Sequence, residues 1–124
     1  MWDKEKPEGV HYADVELAWT SFDQAAKIFR FAWNGMIQGD MKNKERKIHP
    51  TQKPKQLYKW LLSNFATEGD LILDTHVGSA SSLIACEEMG NKYVGFEISE
   101  KYYKLSSERL NLHNAQITIS DLLI

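Results

Sequence analysis

A turn rich in small residues, followed at a distance by an acidic side chain, is the part of this sequence best suited to chemistry. Residues 74–82 stand between a short apolar run and a helical pattern. Small residues in such a turn let a ligand approach the backbone and the amino end of the helix. Glu97 closes the next apolar run, 23 positions after Asp74, which is close to the spacing at which an acidic side chain binds ribose hydroxyls. Together, the two features predict a nucleoside cofactor.

The sequence of the turn excludes two phosphate-binding motifs. A dinucleotide-binding loop needs G-x-G-x-x-G, but Ala80 takes the second small position and no third glycine follows. A P-loop needs Gly-Lys-Ser or Gly-Lys-Thr, and neither is present. What remains is a cofactor without phosphates, recognised through its ribose and a zwitterionic tail, such as S-adenosylmethionine.

Secondary structure on both sides must hold this turn. After Pro54, apolar residues recur at helical spacing until Gly69 ends the segment. Short apolar runs then predict strands at 71–73, 93–96 and 117–119, with helices at 83–89 and 99–110 between them. Strands that alternate with helices predict an α/β fold whose mostly parallel sheet binds ligands at the carboxyl ends of its strands.

The first 48 residues have a different pattern. Residues 15–22 and 27–33 are rich in β-branched and aromatic residues, and the short link between them predicts a β-hairpin. Five aromatic side chains of these strands are expected to pack in the core: Trp19, Phe22, Phe29, Phe31 and Trp33. The chain is long enough for one domain with a modest core. We therefore expect a single domain, with a hairpin and basic loop at 1–48 and a cofactor-binding part at 49–124.

The order of two motifs is specific. His49-Pro50-Thr51-Gln52-Lys53-Pro54 precedes a helix and then the strand and turn that contain Asp74. This order resembles the beta class of amino-DNA methyltransferases, which modify adenine N6 or cytosine N4, and in particular those of phages and prophages. In that class an HPTQKP element and the helix after it come immediately before the strand and the turn, which is usually written D-P-F-x-G-S-G-T-T. The resemblance covers nearly the whole chain and implies a partial Rossmann-like, S-adenosylmethionine-dependent methyltransferase fold.

The resemblance also implies a cofactor site. Glu97 would bind the ribose hydroxyls, while Thr51 and Lys53 would help to enclose the methionine carboxylate. The turn would hold the methionine portion. The full set implied for the cofactor is Asp74, Thr75, His76, Val77, Gly78, Ser79, Ala80, Ser81, Glu97, Ile98, Thr51 and Lys53. Ala80 departs from the glycine of the family, so affinity is reduced if that position needs a positive φ.

Such enzymes also carry a D-P-P-Y or related motif, which holds the target amino group and stacks on the flipped base. The prolines here are Pro7, Pro50 and Pro54, so no adjacent pair exists. In the permuted order the motif precedes Trp2, outside the chain. We therefore expect no catalytic residue in this chain and no activity without an upstream chain or self-association. The alternative is a catalytically dead, prophage-derived binding or regulatory module that acts through protein or DNA contacts.

Charge is distributed unevenly along the chain. Residues 41–60 carry 7 basic and 1 acidic side chains, whereas the whole chain has a net charge of −2. Related enzymes place target-recognition segments before HPTQKP, so contact with double-stranded DNA is predicted for Lys42, Lys44, Arg46 and Lys47. A solvated, lysine-rich loop is the other interpretation.

Four classes of protein are excluded by composition and sequence pattern. The single cysteine rules out an internal disulfide, and four scattered histidines offer no metal-ligand spacing. No apolar run approaches the roughly 20 residues of a membrane span, and the charged first residues do not form a secretory signal. A cytoplasmic protein is therefore expected.

Overall fold

The computed structural model describes residues 1–122, with the backbone alone at residues 117–121. The chain divides into two compact units, Met1–Glu45 and Arg46–Ile124. Among the described residues, no helix is both long and apolar enough to cross a membrane.

The sheet of the first unit is built around the start of the chain. Strand β1 (Trp2–Asp3) pairs antiparallel with β2 (Val15–Glu16) and parallel with β3 (Phe29–Arg30). The predicted pairing of 15–22 with 27–33 was therefore wrong, because β1 lies between them and takes the hydrogen bonds of both. A β-rich pattern predicts strands but does not identify their neighbours.

A β-hairpin is nevertheless present, at a later position than predicted. It consists of β4 (Trp33–Asn34) and β5 (Ile37–Gln38), which pair antiparallel. Gly35 in the two-residue link has φ 56°, as the favoured hairpin turns require.

The expectation of an aromatic core in the first unit was only partly right. Trp33 is buried, but Trp19 is 88% exposed and Phe22 is 55% exposed. Both lie in the segment between β2 and β3, which forms no ladder in which alternate side chains would turn inward. Trp2 is instead the other buried tryptophan of this unit, and its indole N–H donates to the carbonyl of Phe31 at 3.0 Å.

The second unit begins with helix α1 and a strand. Helix α1 (Lys55–Phe65) starts after Pro54, which is the N-cap residue and has an extended backbone, and it buries Leu57 and Leu62. Strand β6 (Leu71–Asp74) follows, after a turn in which the backbone N–H of Thr67 donates to the carboxylate of Asp70. The predicted helix and strand are both confirmed.

Helix α2 and the strand after it complete the centre of this unit. Helix α2 (Ser81–Met89) is buried along residues 81–86, since it lies against both α1 and the sheet. It ends at Gly90, in the left-handed conformation that commonly ends helices. Strand β7 (Lys92–Gly95) then pairs parallel with β6, and Asp74 is the partner of Gly95. The carboxyl ends of both strands therefore meet at the turn that follows Asp74.

The core of the second unit lies between the helices and one face of this sheet. Its centre is formed by Leu62, Ala85 and Cys86, with Ile72 and Tyr93 packed against it from the sheet. Alternate side chains of a strand face opposite sides of the sheet. Leu71, Leu73 and Val94 accordingly lie on the other face, where they are exposed.

The last helix extends further than expected. Helix α3 (Glu100–Leu122) includes residues 117–119, which had been predicted as a third strand, so that prediction was wrong. No glycine or proline follows Gly95 to end the helix, and a helix satisfies its own backbone hydrogen bonds, whereas a strand needs a neighbour. The short apolar run at 117–119 does not distinguish the two states by itself.

Candidate functional site

The turn between β6 and α2 has an unusual backbone. Gly78 has φ 58° and Ala80 has φ 66°, so two left-handed residues stand on either side of Ser79. Among the described residues, Ala80 and Glu5 are the non-glycine residues with positive φ. Reduced cofactor affinity was predicted above if position 80 needs a positive φ. Ala80 does adopt this conformation, which a Cβ disfavours.

Asp74 holds the start of this turn together. One carboxylate oxygen accepts the backbone N–H of His76 at 2.9 Å, and the other accepts the hydroxyl of Ser82 in the first turn of α2. Asp74 therefore ties the end of β6 to the start of α2 and sets the shape of the residues between them.

Glu97 closes the turn from the next strand. Its carboxylate accepts the backbone N–H groups of Ser99 and Gly78, each at 2.8 Å. These two hydrogen bonds lower the pKa of Glu97, and the charges of His49 and His76 act in the same direction. The carboxylate is thus an ionised hydrogen-bond acceptor at neutral pH.

The HPTQKP loop is fixed by its own side chains. His49 Nδ1 accepts the backbone N–H of Thr51 at 3.2 Å, and the imidazole packs on Tyr102 of α3 with ring centroids 4.1 Å apart. Gln52 is buried; it accepts the N–H of Ile48 and donates to the carbonyl of Arg46. His49 therefore fixes the shape of the loop by a hydrogen bond within it and by packing against α3.

The loop, the turn and Glu97 enclose one cavity. Its volume is about 320 Å³, and its lining includes Thr51 and Lys53 on one side and Gly78, Ser79 and Glu97 on the other. A neighbouring cavity of about 390 Å³ lies between Thr75, His76, Phe96, Glu97 and Ile98. His76 and Glu97 line both, so the two cavities adjoin along these side chains.

Most of the predicted cofactor set therefore lies at these cavities. Three predicted residues have a different position: Asp74 braces the turn, while Ala80 and Ser81 are almost completely buried behind it. Sequence reasoning missed Tyr58, Gln52 and Phe96 in the linings. It also missed Arg109, whose guanidinium reaches the turn from α3, and a distance of 30 residues along the chain left no local signal for that contact.

The residues predicted to contact DNA are all at the surface. Lys42 and Lys44 belong to the first unit, Arg46 and Lys47 to the second, and each is exposed. Near the first pair, the carboxylate of Asp40 accepts the N–H groups of Lys42 and Asn43, which gives this loop a defined turn.

Comparison with known proteins identifies the family. Residues 2–108 match the N6_N4_Mtase family of DNA methylases, and the chain belongs to this family. It is 39% identical to the Type II methyltransferase M.HpaI of Haemophilus parainfluenzae over 69 residues, which are 56% of the chain and 22% of that protein. It is 30% identical to the Type II methyltransferase M2.DpnII of Streptococcus pneumoniae over 104 residues, which are 84% of the chain and 38% of that protein. The chain thus spans well under half the length of these relatives.

Solved structures agree on the fold. The complex of M1.HpyAVI with S-adenosylmethionine superposes with a TM-score of 0.55 at 23% identity, covering 76% of this chain and 43% of that one. This likeness confirms the partial Rossmann-like α/β fold. The molecule bound to M1.HpyAVI is also the cofactor predicted above for this chain.

Proposed function

We propose that residues 46–124 bind S-adenosylmethionine, as the cofactor-binding part of a DNA methyltransferase that modifies adenine N6 or cytosine N4. The observation that carries this proposal is the cavity in which Thr51 and Lys53 face the turn and Glu97. Its volume of about 320 Å³ is in the range usual for small-molecule sites. Membership of the DNA methylase family supports the choice of reaction.

The side chains present suit each part of this cofactor. Each carboxylate oxygen of Glu97 accepts one backbone N–H, which leaves further lone pairs for ribose hydroxyls. Phe96 and Ile98 are exposed on either side of it, so they offer apolar surface to the adenine. Lys53 supplies positive charge for the methionine carboxylate. The cofactor itself supplies a methyl group on a positively charged sulfonium.

Methyl transfer also needs residues that hold the target base. We propose that a separate polypeptide supplies a D-P-P-Y-type motif and covers the open face of the β6–β7 sheet. Leu71 and Leu73 are 66% and 62% exposed on that face, whereas parallel sheets are normally covered on both faces. The match to M2.DpnII covers 38% of that relative's length. Double-stranded DNA as substrate, phage or prophage origin and cytoplasmic residence belong to the same proposal.

Calorimetric titration of S-adenosylmethionine into the purified chain tests the cofactor site. We expect saturable binding that Glu97→Gln weakens at least about tenfold, since a hydrogen bond to a charged group is worth about 1.5–3 kcal/mol. The matched control is Glu100→Gln, which removes an exposed carboxylate of α3 and should leave affinity within about twofold. No binding heat from the folded wild-type chain would contradict the proposal and favour the dead binding module.

Adding a polypeptide that carries a D-P-P-Y-type motif tests the partner. We expect transfer of radiolabelled methyl groups to DNA only when both chains are present, and loss of their complex on Leu73→Lys. A stable oligomer of this chain alone, dispersed by Leu73→Lys, would instead assign the open face to a second copy.

A further inference from the structure

Arg109 of α3 is joined to the cofactor turn by two hydrogen bonds. Its Nη1 donates to the backbone carbonyl of Ser79 at 2.9 Å and to the hydroxyl of Ser81 at 2.8 Å. Ser79 and Ser81 are both buried, and their hydroxyls lie 3.1 Å apart. Hydrogen bonds from a guanidinium are charge-assisted and stronger than those between neutral groups.

The carbonyl that Arg109 holds lies at a strained point of the backbone. It belongs to the peptide between Ser79 and Ala80, and Ala80 has φ 66°. A residue with a Cβ keeps this conformation only where its surroundings enforce it. Asp74 braces the beginning of the turn, and Arg109 braces the peptide that leads into Ala80.

The packing of α3 against the turn is incomplete. Between the turn and α3 there is a cavity of about 60 Å³, lined by Val77, Ala80, Tyr103 and Leu110 among others. Seven residues before Arg109, Tyr102 contacts His49 of the HPTQKP loop. Residues seven apart lie on the same face of a helix, so one face of α3 contacts both walls of the cofactor cavity.

We infer that Arg109 is a positioning residue for cofactor binding. It holds the Ser79–Ala80 peptide in the orientation that shapes the cavity, and it thereby couples the docking of α3 to cofactor affinity. Because such coupling is reciprocal, bound cofactor in turn strengthens the docking of α3. This inference rests on the proposed function, since the cavity is the one assigned above to S-adenosylmethionine.

The test compares variants of Arg109 by calorimetry with S-adenosylmethionine, well below their melting temperatures. We expect Arg109→Gln to weaken binding about tenfold or more and Arg109→Lys, which keeps the charge, to recover part of the loss. Lys104→Gln, on the exposed side of α3, is the matched control and should bind like the wild type. Should the glutamine variant fail to fold, the lysine variant provides the comparison.

A second substitution separates positioning from simple stabilisation. Glycine adopts positive φ without a Cβ penalty, so adding Ala80→Gly to Arg109→Gln should restore several-fold of the lost affinity. A purely structural role would lower the melting temperature of Arg109→Gln but leave the affinity of the folded protein unchanged, and that result would overturn the inference.

Amide hydrogen exchange without cofactor distinguishes this inference from the proposed function. If Arg109 holds the turn, the amides of Ala80 and Ile84 exchange faster in Arg109→Gln, whether or not the chain binds S-adenosylmethionine. A wild-type chain that gives no binding heat refutes the proposed function. Unchanged exchange at these amides refutes the inference that Arg109 holds the turn.

Discussion

Replacing Ala80 with glycine makes opposing contributions to the free energy of unfolding. The left-handed conformation of Ala80, with φ 66°, costs a residue with a Cβ about 1–2 kcal/mol, and glycine avoids this cost. Against this, the methyl group is 1% exposed, so its removal loses about 0.8 kcal/mol of apolar burial. Glycine also gains freedom in the unfolded chain, worth about 0.4–1 kcal/mol. The net change in the free energy of unfolding is therefore expected to lie within about 1 kcal/mol of zero.

Ala85→Gly is the matched control because it lacks the compensating gain. Ala85 is fully buried inside helix α2, where glycine loses the same methyl burial of about 0.8 kcal/mol and about 1 kcal/mol of helix propensity. The free energy of unfolding of this variant should therefore be about 2 kcal/mol lower than that of the wild type. For a unit of this size, that corresponds to a melting temperature roughly 10 °C lower.

Thermal and urea unfolding, followed by far-ultraviolet circular dichroism, measures both variants against the wild type. The reasoning requires Ala85→Gly to be the less stable variant by about 1–2 kcal/mol. If Ala80→Gly destabilises the protein as much as Ala85→Gly, no backbone strain is relieved at Ala80. That outcome would also remove the physical basis for the role assigned to Arg109.

Two further predictions concern charged groups. Burial raises the pKa of Glu88, but its hydrogen bonds to Lys55 and Lys59 outweigh this effect, so the pKa lies below its usual value. A lowered pKa stabilises the fold above the unfolded-state pKa of about 4.3, and this contribution is lost as pH falls through the folded-state pKa. Glu88→Gln should thus cost roughly 1 kcal/mol in urea unfolding at neutral pH and little in strong acid, and an equal loss at both would contradict this account. The second prediction concerns DNA binding, measured by fluorescence anisotropy, when glutamine replaces all four basic residues, Lys42, Lys44, Arg46 and Lys47. The slope of log K against log salt concentration should become shallower by about 0.9 for each phosphate that is no longer neutralised. An unchanged slope would exclude binding of phosphate by these side chains.

Local sequence was sufficient to predict the centre of the second unit. Pro54 and the apolar spacing after it mark α1, Gly90 marks the end of α2, and the run before Asp74 marks β6. These signals work because helix starts, helix ends and buried strands depend on residues that are close together in the chain. The order of HPTQKP before the Asp74 turn predicted the family for a similar reason, since it needs only the linear sequence.

The predictions from sequence were wrong where the structure depends on contacts between residues far apart in the chain. Residues 117–119 have a strand-like composition but continue α3, because their backbone hydrogen bonds are made within the helix. The predicted strands 15–22 and 27–33 were too long, since β2 and β3 have two residues each, and they were wrongly paired, since β1 lies between them. Trp19 is aromatic like Trp33, yet only Trp33 is buried, because burial depends on what packs against a residue.

In the candidate site, too, some features follow from the local sequence and others only from the tertiary structure. Sequence alone predicted Asp74, Gly78 and Glu97 as cofactor-site residues from residue type and spacing, because a small-residue turn after a strand and an acid after the next strand are linear patterns. Only the tertiary structure decided that Glu97 accepts the N–H of Gly78 and that Arg109 holds the turn from α3. Such contacts arise when strands and helices pack and bring residues far apart in the chain within hydrogen-bonding distance, which no spacing rule encodes.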